Sequence, residues 1–304
     1  MMQNAPIIIF AFNRLAPLKA CVAALQKNSE AAESELIVYV DGPRANKKGE
    51  AEKVETVREF VKTIAGFKSV FCHFSDRNKG LAESIIRGTT EVIQQAGKVI
   101  VLEDDLVVSK SFLRYMNDML DCFEADERVM QVSGYGHLLK NIEDYPYDIY
   151  LNERARSWSW GTWLDRWETV DWEVKDYREL SSSYRRKRDF NKRGTDLYKM
   201  LKRYMTGRNN SWWIRFNYSM YKQHRFSVQP VCSLVRNEGF GVDATNTSNF
   251  NRFKIDFCEE HQGPFVVPPR LEPNEKIISE AAKYYSYRYR LYGLFRTVLT
   301  KVRK

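Results

Sequence analysis

At 304 residues the chain can bury one substantial core or two small ones, and 43% hydrophobic residues with little Gly and Pro exclude a disordered polymer. Five scattered cysteines (Cys21, Cys72, Cys122, Cys232 and Cys258) form no C-x-x-C pair, which argues against a disulfide scaffold or zinc site and for a reducing compartment. The net charge of +9 is uneven: residues 276–304 carry eight Lys or Arg against one Glu, so the excess belongs mainly to the C-terminal end. No base-stacking motif or recognised module accompanies it, and nucleic acid is not an expected partner. The first residues lack a basic n-region and an apolar h-region, and no run reaches the ~18 apolar residues of a membrane span. A cytoplasmic protein, soluble or peripheral, is the expectation.

Pro6 to Phe12 is a continuous apolar run, as in a strand covered on both faces, and it ends in Asn13-Arg14. A helical pattern follows through Leu18, Val22 and Leu25. Leu36 to Val40 reads as a second strand, closed by the turn signal Asp41-Gly42-Pro43. Val54 to Ile64 predicts a helix, and Ser69 to Phe74 a short third strand. Asp76-Arg77-Asn78-Lys79-Gly80 then leads into a helix from Leu81 to Gln95. The next strand, Val99 to Leu102, breaks abruptly into Glu103, Asp104 and Asp105. Three adjacent carboxylates cannot all be buried unpaired, so a cation or ligand donors are expected there. Hard oxygen donors on a short turn suit Mg²⁺ or Mn²⁺.

This alternation predicts an α/β fold with a parallel, Rossmann-like sheet and right-handed crossovers. Ligands on such sheets bind outside the carboxyl ends of the strands. Those ends carry Asn13 and Arg14, Asp41, residues 76–80, and the acidic triplet. No G-x-G-x-x-G follows the first strand and no Walker loop exists, which weighs against NAD and P-loop chemistry. Further on, a helix is expected from Ser111 to Phe123 and a strand from Val129 to Gly134. Between Tyr145 and Pro269 the texture turns Trp- and Tyr-rich, with a basic run, Arg185 to Arg188, expected in a solvated loop. No repeat or linker separates two domains.

Asp41, Asn78-Lys79-Gly80 and Val101-Leu102-Glu103-Asp104-Asp105, in this order, resemble the GT-A fold of nucleotide-sugar glycosyltransferases. The triplet followed by Leu106, Phe112 and Tyr115 is similar to the Golgi N-acetylglucosaminyltransferase that starts complex N-glycans. Bacterial enzymes that build surface polysaccharides are closer still, through Trp158 to Trp163, Ser211 to Phe216 and Val235 to Gly241. The resemblance spans roughly residues 6 to 250.

It implies a GT-A domain over 1–272, with a nucleotide-binding half (1–140), an acceptor-side half (141–272) and a basic amphipathic tail (273–304). The implied metal ligand is Asp105, with Mn²⁺ or Mg²⁺ bridging a diphosphate. Glu103 and Asp104 would hold ribose, sugar or metal-bound water, and Asp41 the base or ribose, unless Asp41 simply serves its turn. Asn13 and Arg14 would lie along the nucleotide. Asn78, Lys79 and Gly80 would offer a helix N-terminus to an anion, or would only cap it. Trp160 and Trp163 are the expected sugar or acceptor contacts, while His137, Arg215 and Arg236 divide between site and structure. Inverting transfer needs a carboxylate base. Related enzymes keep one beside the tryptophan of the 211–216 segment, where this chain has Asn210 and Trp213. Asp196, Glu238 and Asp243 are the alternatives, with Asp243 the choice; otherwise the base lies elsewhere or the chain is inactive.

From Lys283 to Lys304 a helical wheel gathers Tyr284, Leu291, Tyr292, Phe295 and the valines on one face, with Lys and Arg opposite. That pattern suits an anionic membrane surface, or docking on the protein's own core. The expected function is sugar transfer from a nucleotide-diphosphate donor to a lipopolysaccharide or capsule glycan, including a lipid-linked one, on the inner face of the cytoplasmic membrane. A non-catalytic glycan-binding or scaffold protein is the alternative from another class. A sugar nucleotidyltransferase is disfavoured by Ala11-Phe12-Asn13-Arg14-Leu15, which lacks the required Gly-rich basic loop.

Overall fold

The computed structural model describes residues 4–239, 253 and 255–292. Its first third is built from β-α units: β1 (Ile7–Ala11), α1 (Leu15–Leu25), β2 (Glu35–Val40), α2 (Glu50–Lys62), β3 (Ser69–Phe74), α3 (Leu81–Ala96) and β4 (Lys98–Glu103). After β5 (Leu106–Val108) and α4 (Phe112–Cys122) come β6 (Val129–Ser133), β7 (Ile149–Asn152) and β8 (Trp160–Trp163). Short helices follow: α5 (Leu164–Glu168), α6 (Tyr177–Ser182), α7 (Tyr184–Phe190), α8 (Leu197–Met205) and α9 (Trp212–Lys222). The described chain closes with β9 (Phe226–Pro230), β10 (Val235–Asn237) and α10 (Glu275–Lys283).

Eight strands form one sheet in the order β3-β2-β1-β4-β8-β6-β9-β7, and β5 pairs with β10 in a small ribbon. The pairs β2–β3, β1–β2, β1–β4 and β6–β9 are parallel. Strand β8 runs antiparallel between β4 and β6, so β6 points the same way as β4. The carboxyl ends of β1, β2, β4 and β6 therefore share one edge of the sheet. The start of β8 joins them, because Trp160 pairs with Val101.

Continuous apolar strands are explained by helices on both faces. Ile7, Ile9, Ile100 and Leu102 join one buried cluster with residues of α1, α2 and α4, while Ile8, Phe10, Val99 and Val101 join another with α3 and α9. Alternate residues thus enter opposite cores. This is the mixed α/β architecture with a mostly parallel central sheet that the sequence predicted. Arg185 to Arg188, expected in a loop, lie instead in α7, whose Ser183 caps it by accepting from the Arg186 N–H; Arg186 and Glu179 pair at 2.7 Å on the exposed surface.

Candidate functional site

One cleft of about 1070 Å³ opens at the carboxyl edge of the sheet, lined by residues following β1, β2, β4 and β6 and by the α8–α9 region. Asn13, Arg14, Asp41, Asn78, Gly80, Glu103, Asp104 and Asp105 all line it. Parallel strands deliver these groups together because each β-α unit ends on the same edge.

Arg14, just beyond β1, is the centre of the acidic group. Its Nη2 bonds Asp104 Oδ1 and lies 2.9 Å from Asp105 Oδ2. The strand pair makes this possible, since Ile9 and Phe10 lie beside Leu102 and Glu103. Asp104 is nevertheless pushed up to about 6, because burial outweighs Arg14 and Asp105 adds repulsion. Glu103 is raised further, by burial and by the charges of Asp105 and Asp104. Asn237, at the end of β10, donates to Asp105 Oδ1 at 3.4 Å, and the Glu238 N–H donates to the Asp105 carbonyl at 3.0 Å. Gly239 passes so close that a Cβ there would sit 2.0 Å from Asp105 Oδ2.

Asp41 plays a different part. Its carboxylate accepts from the N–H groups of Gly42, Lys79 and Gly80 at 2.8–2.9 Å, and Asn78 Nδ2 donates to the Gly42 carbonyl. The N–H groups of Lys79 and Gly80 expected to meet a ligand anion thus already hold the protein's own carboxylate. Asp41 ties the loop after β2 to the loop before α3, and both still line the cleft through other atoms. Gly42 allows the approach, since a Cβ there would lie 2.5 Å from Ser75 and Arg77 backbone atoms. Asn13 donates to Glu50 Oε1 at 3.3 Å, and Glu50 also binds Arg44, which fixes the neighbouring loop.

Trp160 and Trp163 are corrected. They are 1% and 2% exposed and point into the two cores on opposite faces of β8. Trp160 stacks on Trp167 and lies 5.0 Å from Trp212, while Trp163 Nε1 donates to the Leu120 carbonyl at 3.1 Å. Three residues apart on a strand, two side chains take opposite faces, and here both faces are covered. Half-buried Trp158 and Trp213 line the cleft in their place, while Trp212, at its edge, is itself buried against Trp160. Position separates them in the structure: Trp158 precedes the strand, and Ser159 between it and Trp160 turns the chain at φ +49°.

His137 is structural, buried between the Tyr135 and Tyr285 hydroxyls at 2.9 and 3.0 Å. Arg215 spends its donors on the Ser211 and Trp172 carbonyls, Tyr204 and Asn210, and Arg236 pairs with Glu238 at 2.9 Å. Asp243 lies outside the described residues. Asp196 lines the cleft with both oxygens bound to Arg154 at 3.0 and 2.9 Å. Burial works to raise its pKa, yet Arg154 outweighs it and holds the carboxyl below its ordinary value. The wall formed by Arg154, Arg156 and Tyr285 was not anticipated, because the segment joining β7 to β8 has no periodic pattern.

The acidic group fits a divalent cation in its donor chemistry. Two carboxylates, Asp104 and Asp105, share the single Arg14 guanidinium with Glu103 beside them, so negative charge is not fully offset, and the donors are hard oxygens. Among the described residues no three acidic, His or Cys side chains converge into a ready cage. Ligand oxygens and water would complete the shell, which is how Mg²⁺ is often held.

No protein-family model matches this sequence, and no curated protein matches it. Among solved structures the chain is similar to S. aureus TarS at 15% identity and a TM-score of 0.29, over 42% of this chain and 21% of that one. The chain thus spans about a fifth of that structure's length, an overlap from which no activity follows.

Proposed function

We propose that this chain is a glycosyltransferase that takes a sugar from a nucleoside diphosphate donor and passes it, with inversion, to a hydroxyl of a surface-polysaccharide glycan. The observation that carries the reading is the meeting of Glu103, Asp104, Asp105 and Arg14 at the end of the central strands, in a cleft also lined by the half-buried Trp158 and Trp213. Aromatic faces suit the C–H faces of sugars, and the carboxylates suit the polar, charged end of a donor.

In the transfer, the acceptor oxygen attacks the anomeric carbon and the bond to the diphosphate breaks. The leaving oxygen keeps the electron pair, and the hydroxyl proton passes to a carboxylate base. Asp105 is the proposed ligand of Mg²⁺ or Mn²⁺, a Lewis acid that would offset the charge of the leaving diphosphate. Arg14 fixes the Asp104 and Asp105 carboxylates, and Asp41 fixes the loops beside them. Asp243 is the proposed base, because Asp196 has both oxygens engaged by Arg154.

A seat on an anionic membrane surface belongs to the same proposal. Tyr287, Leu291 and Tyr292 are exposed on the helical residues 287–292, beside Arg288. No helix among the described residues is long and apolar enough to cross a membrane. Co-sedimentation with phosphatidylglycerol vesicles, absent with neutral vesicles, checks it.

The decisive test is release of free sugar from UDP-, GDP- and dTDP-sugars, with and without Mn²⁺. Metal-stimulated hydrolysis of one donor, lost in Asp105→Ala with the fold intact, is the expected result. Unchanged activity in that variant would refute the assignment of Asp105. Binding without hydrolysis would favour the glycan-binding alternative, which the Asn210 and Trp213 substitutions for a base independently motivate.

A further inference from the structure

The segment between β7 and β8 recrosses one face of the sheet, pinned by two buried glutamines. Gln131 exchanges hydrogen bonds with the Arg156 backbone at 2.7 and 2.9 Å, and Gln229 Nε2 donates to the Arg154 carbonyl at 2.8 Å. This places Arg154 and Arg156, only 4% and 3% exposed, on the wall of the cleft.

Their charges are not balanced. Arg154 has Asp196 as its counter-ion and lies over the Tyr285 ring at 3.5 Å. Arg156 donates Nε to the Gln229 amide oxygen at 3.0 Å and Nη1 to the Tyr285 hydroxyl at 2.5 Å, and neither acceptor is a carboxylate. Among the described residues its buried Nη2 has no hydrogen-bond partner, and the Tyr150 hydroxyl acts on the same guanidinium. Arg203 and Arg290 also line the cleft, and Asp196, bonded to Arg154, is acted on by the charge of Arg290 as well. A buried cation that meets no carboxylate among the described residues is costly, and an orphaned N–H adds to the cost. Guanidinium forks are matched by planar or tetrahedral oxyanions.

We propose that this wall is an oxyanion site: the ligand brings a phosphate or carboxylate group to Arg156, with Arg154 and Tyr285 holding the fork in place. The inference deepens the reading of the cleft as a sugar-transfer site and names the charge its substrate must carry. Two sources share that chemistry, the diphosphate of a donor and an acidic group on the glycan acceptor.

Isothermal titration of the full chain at low ionic strength separates them, using UDP, glucuronate, glucose 6-phosphate and, as neutral control, glucose. At least one oxyanion should bind saturably where glucose does not, and Arg156→Gln should weaken it about tenfold or more, with Tyr285→Phe weakening it less. Selective loss of UDP assigns the site to the donor diphosphate, and selective loss of glucuronate or the sugar phosphate assigns it to an acidic acceptor. Wild-type protein that binds none of the three overturns the proposal, as does an Arg156→Gln variant with native circular dichroism and unchanged affinities. Should Arg156→Gln fail to fold, Arg156→Lys keeps the charge and loses the fork; undiminished affinity there overturns the proposal too. Donor hydrolysis is scored apart. Oxyanion binding on Arg156 without hydrolysis keeps this site and loses the transferase reading, and the reverse loses only the site.

Discussion

Trp158 and Trp160 stand two residues apart in the sequence and serve different ends. Trp160 fills the core between β8, α5 and α9, and Trp160→Ala should destabilise the chain by about 3–5 kcal/mol in urea unfolding. Trp158 borders the cleft, so Trp158→Ala should cost clearly less stability and weaken sugar binding in titration. Composition treats the two alike; only the start of a doubly covered strand tells them apart. Gly239 is a second case at this scale. A methyl group there meets the Asp105 carboxylate, so Gly239→Ala should lower donor hydrolysis by at least tenfold while the melting temperature moves little. A large fall in melting temperature with full activity in the folded fraction would show that Asp105 tolerates displacement.

Among the elements, the parallel β-α units were legible and the antiparallel ones were not. Strands β1, β2 and β4 are apolar on both faces and bounded by turn residues, and the exposed edge strand β3 is short and β-branched or aromatic in part, so pattern alone placed all four within a residue or two. Strands β7, β8 and β9 are short and embedded in aromatic sequence, and their pairing partners lie far away in the chain. The loops after β1 and β2 are held by carboxylates whose role the sequence left open. Glu50 bonds Arg44 and Asn13, and Arg44 lowers its pKa from the ordinary 4.5 to about 2. A depressed folded-state pKa means the stabilisation is complete above 4.5 and is lost as pH falls toward 2. Glu50→Gln should therefore melt below wild type at neutral pH, with the gap closing across that acid window. Asp41→Ala should be worse, since it strands three N–H groups, at about 1–3 kcal/mol for each one left dry. Both effects are read by thermal denaturation.

Across the whole molecule, the chain's last described segment bears on the cleft. Helix α10 buries Ile277, Ile278 and Ala281 against β7 and its neighbours, and Tyr284 and Tyr285 turn inward after it. The wheel drawn through 283–304 assumed one helix, yet α10 ends at Lys283 and helix resumes at 287, where Ser286 accepts from the Tyr289 N–H at 3.2 Å. That break explains why Tyr284 leaves the outer face: its hydroxyl donates to the Leu138 carbonyl at 2.7 Å. A chain ending at residue 272 should melt well below the full chain, because it uncovers Tyr150 and removes the Tyr285 hydroxyl from Arg156 and His137. Equal melting temperatures would show that the segment is energetically separate.

By itself the sequence determined the strand-helix alternation, the edge on which the cleft lies, and the acidic and basic groups gathered at four strand ends. These follow from local rules, namely hydrophobic period, turn chemistry and the crossover geometry of parallel strands. Only the tertiary structure decided that Trp160 and Trp163 are core, that Asp41 and the helix α3 N-terminus satisfy each other, and that Arg156 is buried in the cleft wall with no carboxylate on it among the described residues. Each of those depends on which surface covers a residue and which distant partner meets its polar atoms. Contacts between residues such as Arg156 and Tyr285, or Trp160 and Trp212, are set by the packing of the whole chain, and no local pattern encodes them.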